Sequence, residues 1–283
     1  MPPLDLNPIV INAPVVGGPS GLRAGQTLTL QAGGSLGDDF AVVDATLNVE
    51  AGTVGDALEV LGSEVNISGA TLGDSFDAFS GSEVNISGGT LGDNFDAFSG
   101  SEVNISGGTL GRNANAFSGS VVNISGGTVD FGFEAFSGSE VNISGGTFGA
   151  GFRAFSGSVV NIFGSEFYID GVELNAGLLG QAVTITDQDV TLSGVLADGE
   201  PFSFDLRNSV RGGISPDATL TVTLTAPCLL GDCDLNGVVN FSDIAPFIMI
   251  LQSGSFLKQA DCNQDDVVDF SDIPAFIAIL ASN

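Results

Sequence analysis

The stretch GSEVNISGGTLGDNFDAFS, Gly81–Ser99, has near copies of itself on both sides. The phrase begins again at Gly62, Gly100, Gly119 and Gly138, and a decaying copy, GSVVNIFGSEFYIDGVELN, starts at Gly157. Two worn copies stand upstream, LTLQAGGSLGDD from Leu28 and LNVEAGTVGD from Leu47. A fixed period near 20 residues marks units too small to bury a core alone, so they must stack on their neighbours. Within each copy, Glu83-Val84-Asn85-Ile86-Ser87 alternates polar and apolar residues, the two-residue period of a strand with one buried face. The Gly-Gly after each strand and the Ser-Gly-Ser after each phenylalanine suit bends with positive φ.

This pattern predicts an all-β chain: a parallel β-helix solenoid of 19-residue coils with valine, isoleucine, leucine and phenylalanine turned inward. In register, Val65, Val84 and Val103 form one column, and Phe79, Phe98, Phe117, Phe136 and Phe155 another. Eight coils at ~4.8 Å per rung give a rod about 35 Å long. Open strand edges recruit other chains, so both ends require a cap or a partner.

Outside the repeat, the prolines around Ile9-Val10-Ile11 make residues 1–23 an extended N-terminal arm, and residues 24–175 are the solenoid. Residues 176–227 lose the phrase but keep alternation, as in Thr219-Leu220-Thr221-Val222-Thr223-Leu224, and read as a β-rich cap. Residues 228–283 carry a different repetition.

Thirty-four acidic residues against six basic ones give a formal charge of −28. That surface excludes nucleic acid and anionic membrane as partners and suits divalent cations. A hydrophobic fraction of 43% with 41 glycines excludes general disorder. Ile244 to Leu251, the longest apolar run, is too short for membrane insertion. Met1-Pro-Pro-Leu-Asp-Leu has neither the basic start nor the apolar core of a signal peptide, so the chain reads as mature or trimmed. Three cysteines, Cys228, Cys233 and Cys262, fit either one disulfide with a spare thiol or three reduced thiols.

The chemistry concentrates in the last fifty residues. Asp232-Cys233-Asp234-Leu235-Asn236-Gly237-Val238-Val239-Asn240-Phe241-Ser242-Asp243 puts oxygen donors at positions 1, 3, 5, 9 and 12, with glycine at 6. Asp261-Cys262-Asn263-Gln264-Asp265-Asp266-Val267-Val268-Asp269-Phe270-Ser271-Asp272 repeats the spacing with Asp266 in the glycine's place. Such spacing wraps a hard cation in oxygens, the position-7 carbonyls coming from Val238 and Val267. The expected cofactors are two calcium ions, held by Asp232, Asp234, Asn236, Val238, Asn240 and Asp243 and by Asp261, Asn263, Asp265, Val267, Asp269 and Asp272. A carboxylate at position 12 also favours a helix start, and short apolar helices follow from Ile244 and Ile273.

Loop followed by helix, twice, resembles a type I dockerin over roughly residues 230–281. The resemblance implies a cohesin-like partner contacted through loop positions 10 and 11, which are Phe241, Ser242, Phe270 and Ser271 here. The whole arrangement of repeat rod, β cap and dockerin-like tail resembles bacterial secreted or surface proteins, which implies an extracellular location.

Other columns have simpler readings. Glu64, Glu83, Glu102 and Glu140 read as a solvated outer face. The Asn-Ile-Ser column Asn66, Asn85, Asn104, Asn123 and Asn142 reads as an amide ladder rather than a set of glycosylation sites. With no histidine and coils this alike, no acid or base is set apart for catalysis. The sequence therefore predicts a non-enzymatic, calcium-stabilised structural or adhesive protein that self-associates. The alternatives are a polysaccharide-active β-helix enzyme and an adaptor docking on a cohesin-like partner.

Overall fold

The computed structural model describes residues 8–13, 20–174, 179–206, 213–225, 229–234, 238–253, 257–263 and 267–282. The chain winds as a parallel β-solenoid of about eight turns, with two short helices at its C-terminal end. Each turn contributes to three faces. The first stacks Thr27–Leu30, Thr46–Val49, Glu64–Ile67, Glu83–Ile86 and Glu102–Ile105 in that order. Every position lies over its equivalent, Val65 over Val84 and Val84 over Val103. The second face holds two-residue strands such as Thr53–Val54 and Thr71–Leu72. The third stacks nine strands from Gly21–Leu22 to Gly213–Ile214.

The alternation decides what is inside. In the coil from Gly81, five apolar side chains are buried: Val84, Ile86, Leu91, Phe95 and Ala97. The phenylalanine column expected in the core lies elsewhere. Phe95 and Ala97 point in, so Phe98, directly after the strand Asp96–Ala97, points out with Asp96. Phe79, Phe98, Phe117, Phe136 and Phe155 form a half-exposed ladder, with centroids 4.8–4.9 Å apart and planes within 7–14° of parallel. This face-to-face geometry belongs to the outer column: the buried Phe76 and Phe95, at a similar 5.0 Å, meet edge to face at 83°, and the small Ala78 and Ala97 are buried on the interior side.

The bends require unusual backbone at the corners. Gly108 has φ +77°, and a Cβ there would lie 2.8 Å from the carbonyl carbon of Gly88 in the preceding rung. At a second corner the same conformation falls on non-glycine residues, Asp39, Ala57, Ser75, Asn94 and Asn113, all with φ between 56° and 63°. Beside them an aspartate column straps rung to rung: Asp74 Oδ1 accepts from Asp93 N–H at 2.8 Å, and Asp93 Oδ1 from Arg112 N–H at 2.8 Å. Side-chain hydrogen bonding of this kind stabilises a corner that backbone preference alone disfavours.

On the first face the asparagines form the expected amide ladder. Asn85 Nδ2 donates to Asn66 Oδ1 at 3.0 Å and Asn104 Nδ2 to Asn85 Oδ1 at 3.0 Å, and the line runs on through Asn123, Asn142 and Asn161. Glu64, Glu83, Glu102 and Glu140 stand exposed beside it. On the third face the acidic column is interrupted by Asn115, which donates to Asp96 Oδ1 at 2.7 Å, and by Arg153, which pairs with Glu134 at 2.6 Å.

Both ends differ from expectation. Ile9–Ile11, read as part of an arm, is a rung: it pairs in parallel with Leu28–Leu30, 19 residues on, and Ile11 is buried. At the other end the repeat stops and then resumes. The long strand Val159–Ile169 runs off the face into an antiparallel hairpin, Val190–Leu196 and Pro201–Leu206. The chain then returns, and Gly213–Ile214 and Thr219–Leu224 lay one more turn parallel on the last coil. Thr221 Oγ1 donates to Asn161 Oδ1 at 2.7 Å, which terminates the amide ladder. Phe167, Phe202 and Phe204 of this region close the interior against Phe148 and Phe152.

Helices α1 (Ile244–Ser253) and α2 (Ile273–Ser282) follow. Their core is small: Cys233, Phe247, Ala260, Cys262 and Phe276 are buried, and Phe247 stacks on Phe276 at 4.0 Å. No helix among the described residues is long and apolar enough to cross a membrane.

Candidate metal centre

Each helix starts from a short 3-10 turn, Phe241–Asp243 and Phe270–Asp272, built as a capping box. Asn240 Oδ1 accepts from Ser242 N–H at 2.8 Å, and Asp243 Oδ2 accepts from Asn240 N–H at 2.8 Å. The second copy repeats this with Asp269, Ser271 and Asp272 at 2.6 and 2.9 Å. The local sequence dictates this: a short polar side chain at the N-cap and a carboxylate three residues on satisfy reciprocal amides.

The other oxygen of each position-12 carboxylate folds the loop back on itself. Asp243 Oδ1 accepts from Asp234 N–H, and Asp272 Oδ1 from Asn263 N–H, each at 3.0 Å. Ser242 Oγ donates to Asp234 Oδ2 at 2.6 Å, and Asn263 Nδ2 to Ser271 Oγ at 2.7 Å. Position 11 thus orients position 3, a role that the spacing of ligands alone does not disclose but that a serine in both copies signals.

Asp232, Asp234 and Asp243 each bring a carboxylate oxygen within 4.8 Å of the others, and Asp232 and Asp243 are buried. Asp261 and Asp272 are buried at the equivalent places. Two carboxylates at that separation repel by about 3–4 kcal/mol at an effective dielectric of 20. A divalent cation removes this cost, and an all-oxygen donor set suits a hard ion. The residues present therefore fit calcium.

Not every expected ligand converges. Asn240 and Asp269 turn a side-chain oxygen to the helix amides. Hydrogen bonding by Ser271 holds the Asp269 carboxyl below the usual carboxylate range. Val238 and Val267 are exposed in their loops. Asn236 and Asp265 lie outside the described residues, as does Cys228. Phe241 and Phe270, at position 10, are 80% and 77% exposed.

Burial, followed by the charges of neighbouring side chains, pushes the Cys233 and Cys262 thiols up to about 12, so both are protonated at neutral pH and poor nucleophiles. A trough of about 1200 Å³ separates the serine-glycine edge of the rod, including Ser106 and Ser125, from Leu257 and Val267 of the tail. Asp198 and Glu200 also line it. Asp198 pins the hairpin to the rod, accepting from Gly146 N–H at 2.6 Å on one oxygen and from Glu200 N–H at 3.0 Å on the other.

Compared with known proteins, the chain matches no protein-family model, no curated protein and no solved structure.

Proposed function

We propose that this chain is a non-enzymatic, extracellular structural or adhesive protein, stabilised by two calcium ions in its tail and acting through self-association. The observation that carries the reading is the uniformity of the rod. Its faces repeat one side chain per rung, as ladders of amides, carboxylates and phenyl rings, and this gives little basis for a singular acid or base. At the trough, both oxygens of Asp198 are committed to backbone amides, which suits a structural strap better than proton transfer.

In the tail, Asp232, Asp234 and Asp243 with the Val238 carbonyl would hold the first ion, and Asp261, Asn263 and Asp272 with the Val267 carbonyl the second. The ions would neutralise buried carboxylates that otherwise oppose folding. Among the described strands, Ile9–Ile11 pairs on one side only, and Val10 is 55% exposed. An edge of this kind favours pairing with a second chain.

Sedimentation velocity and negative-stain imaging of the full chain, with calcium and with a chelator, test the reading. Assemblies larger than a monomer in calcium are expected, and a strict monomer in both conditions overturns self-association. Calorimetric titration that shows no calcium heat overturns the metal.

A second reading, an adaptor docking on a cohesin-like partner, draws on the exposed Phe241 and Phe270 at equivalent places in the two loops. Capture by an immobilised cohesin, lost in Phe241→Ser/Phe270→Ser, distinguishes it.

A further inference from the structure

The two buried cysteines of the tail occupy the same place in each copy of the loop, position 2, directly after the first aspartate. Both belong to the five-residue core that the copies share, alongside the stacked Phe247 and Phe276. A single carbonyl ties their surroundings together: Gln259 O accepts from Gly231 N–H at 2.8 Å and from the Cys262 thiol at 3.6 Å. Gly231 begins the tight turn that Cys233 N–H closes on Gly231 O at 3.0 Å. The Cys262 sulfur therefore lies close to the turn that carries Cys233, and both cysteines are buried in one cluster as free thiols in this structure.

We propose that Cys233 and Cys262 are the two ends of a disulfide that clasps the paired loops, and that Cys228 remains a thiol. The reaction is an exchange with an oxidised small-molecule disulfide. The two cysteine thiols lose two electrons and two protons, one S–S bond forms between them, and the oxidant is reduced to two thiols. The bond forms while the loops are still open, before the core closes over the sulfurs. Once made, it restricts the segments that present Asp232 with Asp234 and Asp261 with Asn263, so less freedom is lost when an ion binds. The bond itself does not depend on the calcium reading, whereas its effect on affinity rests on that reading.

The test uses the full chain, refolded in a mixture of reduced and oxidised glutathione, denatured, alkylated with iodoacetamide and digested with trypsin. Cleavage after Lys258 separates the peptide holding Cys228 and Cys233 from the one holding Cys262. A linked peptide pair two hydrogens lighter than its parts is expected, with its fragmentation spectrum placing the bond on Cys233 and a single alkylated thiol at Cys228. The link persists in Cys228→Ser and is lost in Cys233→Ser.

Three alkylated cysteines in the wild-type chain overturn the proposal, as does a bond on Cys228. That readout needs only the wild-type chain, so a Cys233→Ser variant that fails to fold does not shield it. Titration of the linked and reduced forms with calcium then reads the clasp's role: affinity about tenfold weaker on reduction is expected, and equal affinities overturn the role. Absence of calcium heat from a chain that is linked refutes the calcium reading and leaves the bond standing.

Discussion

The rod and the tail are both built by repetition, and they solve the same problem in opposite ways. In the rod, translation by 19 residues puts like on like, so Val84 and Ile86 meet their own copies above and below. Each added coil buries the edge of the last, and stability accumulates with length. In the tail only two copies exist, and among the described residues they close on each other through five buried residues and a rim of partly buried ones. A module of that size has too little core to stand on hydrophobic burial alone and needs a metal or a covalent link. The comparison teaches that the carboxylates are arranged differently: straps from rung to rung in the rod, a converging cluster in the tail, where we propose an ion.

Removing the Asp243 side chain separates the two halves most sharply. Asp243→Ala leaves two amides unpaired and removes a ligand of the proposed ion, and a loss of about 4 kcal/mol is expected in the tail. Circular dichroism should show the helical signal melting early while the β signal of the rod keeps its midpoint. A single concerted transition would show instead that the two regions fold as one. A cut inside the rod is smaller but spreads. Ile105→Ala should cost about 3 kcal/mol in the rod's denaturant midpoint and leave calcium affinity unchanged by titration.

The amide ladder sharpens the point further. Asn104 joins Asn85 and Asn123 at 3.0 and 2.8 Å, so Asn104→Ala breaks two half-buried bonds at once. About 1.5 kcal/mol is expected, with amide hydrogen exchange rising in the rungs on both sides.

The smallest effect concerns charge. Asp77 is pushed from 3.8 up to about 6, first by burial and then by Asp96 and Glu59. The folded rod holds this proton more tightly than the unfolded chain. Its stability from this group is therefore full below about pH 4 and is lost as pH rises to about 6. Asp77→Asn should raise stability at pH 7 by about 1 kcal/mol, a figure reduced for solvent screening, and flatten the pH profile in between. The chain already makes this substitution at Asn115, where the amide donates to Asp96.

Much of this was legible in the sequence, for reasons particular residues show. Val84 and Ile86 alternate with Glu83 and Asn85, so strand and facing were readable, and the 19-residue phrase fixed the register of the asparagine column. The corner at Asn94 and Asn113 was not readable, because a left-handed bend on a non-glycine depends on the aspartate strap from the neighbouring rung. Thr219–Leu224 showed its alternation but not its place, since the rung beneath it lies 60 residues earlier with the hairpin in between. In the tail, the spacing of Asp232, Asp234 and Asp243 anticipated that these three carboxylates come together, while the cap role of Asn240 and Asp269 emerged only with the helix start in place.

Periodicity and local chemistry are written along the chain, and they sufficed for the coil, its inward stripe of valine, isoleucine and leucine, and the duplicated acidic loops. Contacts between distant segments settled what remained: the outward turn of Phe98, the rung made by Ile9–Ile11, the resumed turn at Gly213, and the meeting of Cys233 with Cys262 in one core. Those outcomes depend on which surfaces are left to be buried once neighbouring coils are stacked, and no single segment contains that information.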